Sequence, residues 1–257
     1  MSLVVKAATL VAFPVAASTI GAVVAAVKPP GQRFVSGVQH FAAGVVMAAL
    51  VGEIMPELRA EGHLAWTVVG FVAGAILVLA LGAYGRHTEE EAAAAARKGS
   101  LRRQAVTAAA AASLPVGMLG AMAVDLLLDG VLVGLGVRLG STQGLILTIA
   151  LTLEVLFLGL SVVSELTESG ATTRRAVLIC TLLGLMTAVG AIGAALFLGT
   201  VSTTVMSAVL AFGAAALLYL VVEELLVEAH EEKESVTLGA MFFLGFLVVY
   251  VLAALGE

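Results

Sequence analysis

The chain has one cysteine, Cys180, so no disulfide can form within it, and its place in an apolar helical stretch reads as packing. Charge is scarce as well: Asp, Glu, Lys and Arg together make 12% of the 257 residues, and the formal net charge is −5. The thirteen basic residues form no stripe of the kind that tracks a phosphate backbone, which removes nucleic acid from the partners. No enzyme motif is present. Hydrophobic residues fill the space instead, at 61% of the chain with a mean hydropathy of +1.11. No water-soluble fold of this size hides that much apolar surface.

A membrane span needs about 20 mostly apolar residues, and eight stretches qualify. They run over 7–27, 34–56, 64–84, 106–137, 142–166, 176–198, 203–228 and 236–255. The first is too long for the apolar region of a signal peptide, for which Lys6 would be the charged end, and is taken as a helix. The expectation is an all-α integral membrane protein of eight spans. It forms a single transmembrane domain over 1–257, interrupted by one loop at about 85–104 in which acids from Glu89 to Glu91, five alanines, and Arg97 and Lys98 suggest a short solvated helix.

Ten of the thirteen basic residues follow odd-numbered spans: Lys28, Arg33, Arg86, Arg97, Lys98, Arg102, Arg103, Arg174, Arg175 and Lys233. Lys6, Arg59 and Arg138 lie on the other side. Basic loops stay in the cytoplasm, so both termini are expected outside, and the compact Ala-rich composition points toward a prokaryotic inner membrane.

Against this apolar background, Asp125 and Asp129 stand one helical turn apart in the middle of span four, and Glu154 stands in the middle of span five. Neither span has an internal Lys or Arg. Acids at that depth are costly and, without a fixed positive partner, need a proton or a cation. Met118, Met122, Asp125 and Asp129 fall on one helical face, and Glu154, Leu158, Ser161 and Glu165 on another. Both sets sit at the depth where secondary transporters hold their substrate.

Span two is echoed in span seven. Phe41, Glu53 and Glu57 match Phe212, Glu224 and Glu228 at a constant offset of 171 residues. The step from span two to span seven is odd, so the copies cross in opposite directions, as in the inverted repeats of many transporters. In that arrangement spans one to three repeat as six to eight around spans four and five. Glu53 and Glu57 then lie toward the outer face and Glu223, Glu224, Glu228 and His230 toward the cytoplasm, while His40 and His63 flank span two as interfacial residues.

The segments FAAGVVMAALVGEIMPE and LLYLVVEELLVEAHEE resemble the FAAG…LLPEA and YVVVEELIPEAH signatures of the ZIP (Zrt/Irt-like) metal transporters, and GLMTAVGA in span six is similar to that family's GLAEPLGA. The resemblance covers essentially the whole chain. It implies eight helices, both ends outside, a cytoplasmic loop after span three, and a metal site on spans four and five that passes its ion to the exit-side acids of span seven. The departures fall on the chemistry. Where the family has HNxPEG, this chain has Asp125, Leu126, Leu127, Leu128, Asp129 and Gly130; where it has His or Gln followed by Glu, this chain has Glu154 and Leu158; the acid of span six is Thr187.

The ligand set is therefore expected to be Asp129 and Glu154, then Asp125, with Glu223, Glu224 and Glu53 along the route. Zinc favours imidazole and thiolate, whereas carboxylates suit harder ions. The cargo lies among manganese, magnesium, zinc, iron and calcium, with the oxygen-loving ions favoured, and no resident cofactor is implied. Two functions of different class remain: a carrier that moves a divalent cation into the cytoplasm by alternating access, and a non-transporting binding, sensing or scaffold relative. A transporter of protons or another solute is a third. Ion, driving force and oligomeric state, a homodimer included, are left open by the sequence.

Overall fold

The computed structural model describes residues 2–61, 63–102, 116–198, 201–230 and 235–256, and these are helical with no strand among them. The elements are α1 (Leu3–Val27), α2 (Gln32–Ala49), α3 (Met55–Glu61), α4 (Leu64–Arg102), α5 (Val116–Leu139), α6 (Ser141–Glu168), α7 (Thr173–Phe197), α8 (Thr203–Tyr219), α9 (Leu226–Ala229) and α10 (Val236–Gly256). A π-helical turn, Leu50–Ile54, joins α2 to α3, and a second, Leu220–Leu225, joins α8 to α9. The eight helices long and apolar enough to cross a membrane correspond to the eight expected spans.

One boundary differs from the sequence reading. The helix of span three does not end near Gly85 but runs on to Arg102, since alanines and a Glu-to-Lys charge gradient favour helix whether lipid or water surrounds it. The first part of span four, 106–115, lies outside the described residues. The short links are set by local chemistry. Ser2 and Ser202 accept from the N–H groups of Val5 and Val205 at 3.3 and 3.4 Å, capping α1 and α8. Gly170 takes a φ of 91° after α6, a conformation that favours glycine, and the Ala171 N–H returns to the Leu166 carbonyl at 2.9 Å.

Spans two and five are the most enclosed, each with 67% of its apolar window buried, whereas spans three and eight have 17% and 11%. The centre of the bundle is thus α2, α6 and their neighbours, and α4 and α10 line its outside. Their exposed faces carry Trp66, Val72, Ile76, Phe243, Leu247 and Tyr250, the surface a lipid-facing helix requires.

Helix packing repeats itself. α1 crosses α6 where a Cβ on Gly21 would strike the Leu156 carbonyl and one on Gly159 the Ser18 carbonyl. α7 crosses α5 where Gly190 meets the Leu127 carbonyl in the same way and Gly130 that of Thr187. Gly21 and Ser18 precede Gly190 and Thr187 by one offset, and Leu127 and Gly130 precede Leu156 and Gly159 by another. Likewise α10 seats Gly245 against the Phe41 carbonyl, and α4 seats Gly74 against that of Phe212. Backbones this close are the usual means of holding membrane helices together, where lipid leaves no hydrophobic drive for association.

Candidate metal centre

Asp125 and Asp129 are carried by α5 and Glu154 by α6, and one carboxylate oxygen from each lies within 4.8 Å of the other two. The α5 and α6 faces read from helical spacing therefore meet. Asp129 and Glu154 are each 3% exposed, and Asp125 is half-buried. Among the described residues no donor group reaches Asp129 Oδ2 or either Glu154 oxygen, and these two carboxyl groups have only each other. Buried carboxylate oxygens in that state are strongly unfavourable unless a proton or cation fills the space between them.

A cavity of about 570 Å³ opens from this cluster. Asp125 and Glu154 stand at one end, Met118 and Met122 line the α5 wall, and Leu158, Ser161 and Glu165 line the α6 wall. Glu223, Glu224 and Val227 line the side formed by the second π-helical turn and α9, and Arg86 and Tyr219 are also on the wall. Asp129 is enclosed behind the cavity rather than on its wall.

The π-helical turns explain how the outlying acids are aimed. In each, one N–H skips its usual partner and donates five residues back: Met55 to the Leu50 carbonyl, and Leu226 to the Val221 carbonyl. Those two bonds sit at the offset of 171 that relates Glu53 to Glu224. The extra residue turns Glu223 and Glu224 toward the cavity. Pro56, without an N–H, removes the normal donor to the Gly52 carbonyl and favours the first turn; Val227 holds that position in the second.

Glu53 is buried on its own turn, 7% exposed, and belongs neither to the carboxylate cluster nor to the cavity wall. Glu57 is half-buried beyond it. Glu228 is placed in α9 by its backbone. His63 is half-buried, its Nε2 3.2 Å from the Thr203 hydroxyl. Thr187, which stands where the family has a further acid, is fully buried, and its hydroxyl has no hydrogen-bond partner among the described residues.

Two features escaped the sequence reading. Arg86, counted there only as a loop charge, reaches the acid-lined cavity and hydrogen-bonds the Tyr219 hydroxyl. His40 and His230, treated separately, meet as tilted rings with centroids 5.2 Å apart. Neither contact leaves a local pattern in the sequence, because each joins residues more than a hundred positions apart.

Among known families, the model described as ZIP zinc transporter matches residues 85–253, more than half of the chain. No curated protein matches significantly.

Proposed function

The chain belongs to the ZIP zinc transporter family, and from that premise we propose that it carries a divalent metal ion into the cytoplasm through the carboxylates of Asp125, Asp129 and Glu154. Membership and the eight apolar helices support a metal transporter and no enzyme. The observation that carries the finer reading is the cluster itself: two buried acids and a half-buried third with oxygens within 4.8 Å, several of those oxygens reached by no donor among the described residues. A cation bound there gains its ligands at little cost in rearrangement.

Release follows the cavity. An ion leaving Asp125 and Glu154 meets Glu223 and Glu224 within the same cavity, whose wall also holds Arg86, just before the basic loop in sequence. Carboxylates spaced along the wall replace one another as ligands, so no single step strips the ion bare. The inverted repeat is supported by the paired glycine crossings and the paired π-helical turns. By that symmetry Glu53 is the outer counterpart of Glu224, and it serves the opposite vestibule when the bundle opens that way.

The close crossings also suggest which parts move. Backbone-to-backbone contacts tie α1 to α6 and α7 to α5, and separately α2 to α10 and α4 to α8. Spans four and five accordingly shift together with one and six against the other four. The experiment is uptake of divalent ions into liposomes holding the purified chain. Ion accumulation that disappears in Asp129→Asn supports the carrier. Binding without any uptake favours the non-transporting relative, for which the observation of Thr187 in place of an acid speaks.

A further inference from the structure

We propose that His40 and His230 form a second cation site, built on imidazole rather than carboxylate, just beyond the cavity's last lining residue on α9. Val227 lines the cavity, and His230 follows it three residues later at the end of α9. His40 faces it from α2 and is buried, 6% exposed. The Ser36 hydroxyl donates to the Ala229 carbonyl at 2.7 Å, fixing the two chain segments to each other.

Both rings are oriented in the same way. His40 Nδ1 lies 2.8 Å from the Ser36 carbonyl, and His230 Nδ1 engages the Leu226 carbonyl. A carbonyl can only accept, so each Nδ1 carries a hydrogen, and the neutral tautomer with that hydrogen is the one whose Nε2 can ligate. Metal-bound histidines are held by this same device, one nitrogen donating to a backbone carbonyl and the other ligating. The ring separation fits as well. Two imidazoles sharing one ion at bonds of about 2.0–2.1 Å and a near-tetrahedral angle place their centroids about 5 Å apart, and here they are 5.2 Å apart with planes inclined by 50°.

The chemistry differs from that of the central cluster. Imidazole suits zinc, nickel, cobalt and copper, whereas the three acids suit harder ions. A site of this kind at the mouth would hold back borderline ions that the carboxylate pathway passes, or respond to them from the side on which the cavity opens.

The chain has four histidines, so 15N-histidine labelling of the purified full chain gives a small spectrum that His→Gln variants assign. One equivalent of Zn²⁺ alone is expected to move the Nε2 resonances of His40 and His230 together. His230→Gln, at an exposed position, should abolish the shift of His40 and weaken Zn²⁺ affinity at this site at least tenfold. Asp129→Asn should leave both shifts in place. The proposal is overturned if neither resonance moves, if His40 still shifts in His230→Gln, or if the shifts vanish in Asp129→Asn. Uptake is measured separately: paired shifts in a chain that transports nothing would refute the carrier and keep the imidazole site.

Discussion

Asp125 and Glu154 occupy matching places in two copies of one helix crossing. Five residues after Asp125, Gly130 lies beneath the Thr187 carbonyl of α7; five residues after Glu154, Gly159 lies beneath the Ser18 carbonyl of α1. The acids are thus related by the packing of their helices as well as by proximity. Each is one and a half turns from a contact that admits no side chain, which fixes its depth in the bundle.

That constraint can be tested at the glycine. A methyl group added at Gly130 would drive into the Thr187 carbonyl and force α5 from α7, whereas one at Gly120 meets nothing within 4 Å. Gly130→Ala is expected to destabilise the protein by about 1–3 kcal/mol, the usual cost of overpacking. Gly120→Ala should leave it unchanged. Thermal unfolding in detergent, compared between the two variants, measures the difference.

Orientation is tested by access. Tags at either terminus should be reached from outside intact cells and a tag near Ala94 should be protected, because the basic residues gather on that side. Ser161 lines the cavity, and the native Cys180 is buried, so Ser161→Cys gives one reactive thiol. An impermeant thiol reagent should modify it in inside-out vesicles and spare it in intact cells. The reverse pattern would invert the assigned direction of release.

The spans were legible because lipid demands long apolar runs, and the acids stood out because such runs exclude charge. The convergence of Asp125, Asp129 and Glu154 followed from helical spacing once α5 and α6 were taken as neighbours. What sequence spacing could not supply was any contact fixed by how distant helices cross. Glu53 is the instructive residue: its match to Glu224 was plain in the sequence, yet one of the pair lines the cavity and the other is buried apart from it. A repeat specifies two equivalent places, while a single conformation opens only one of them. The continuation of α4 to Arg102 was missed for another reason, since hydropathy marks where lipid ends and not where a helix does.

Ion preference follows from the donors at the cluster. They are carboxylate oxygens, and neither His40 nor His230 belongs to it. A panel of divalent ions competing for binding in a His40→Gln, His230→Gln chain should therefore favour manganese or magnesium over zinc, relative to an imidazole-bearing site. Tight and preferential zinc binding in that doubly substituted chain would show that the three acids select a softer ion than their oxygens suggest.

Asp129 is the most telling single position, because it is enclosed, faces Glu154 and has an oxygen that no donor reaches among the described residues. Asp129→Asn keeps the shape and removes one charge. Loss of a carboxylate ligand in a low-dielectric site is expected to cost more than about 1.4 kcal/mol, a tenfold or greater fall in cation affinity. Folding should be unchanged or improved, since the substitution removes repulsion between buried like charges. Proton exchange supplies the second readout: loading a divalent ion into the wild-type cluster should release protons, and the variant should release fewer. Calorimetry in two buffers of different ionisation enthalpy measures affinity and proton count together. Unchanged affinity with no proton release would remove the ion from this cluster and with it the carrier mechanism.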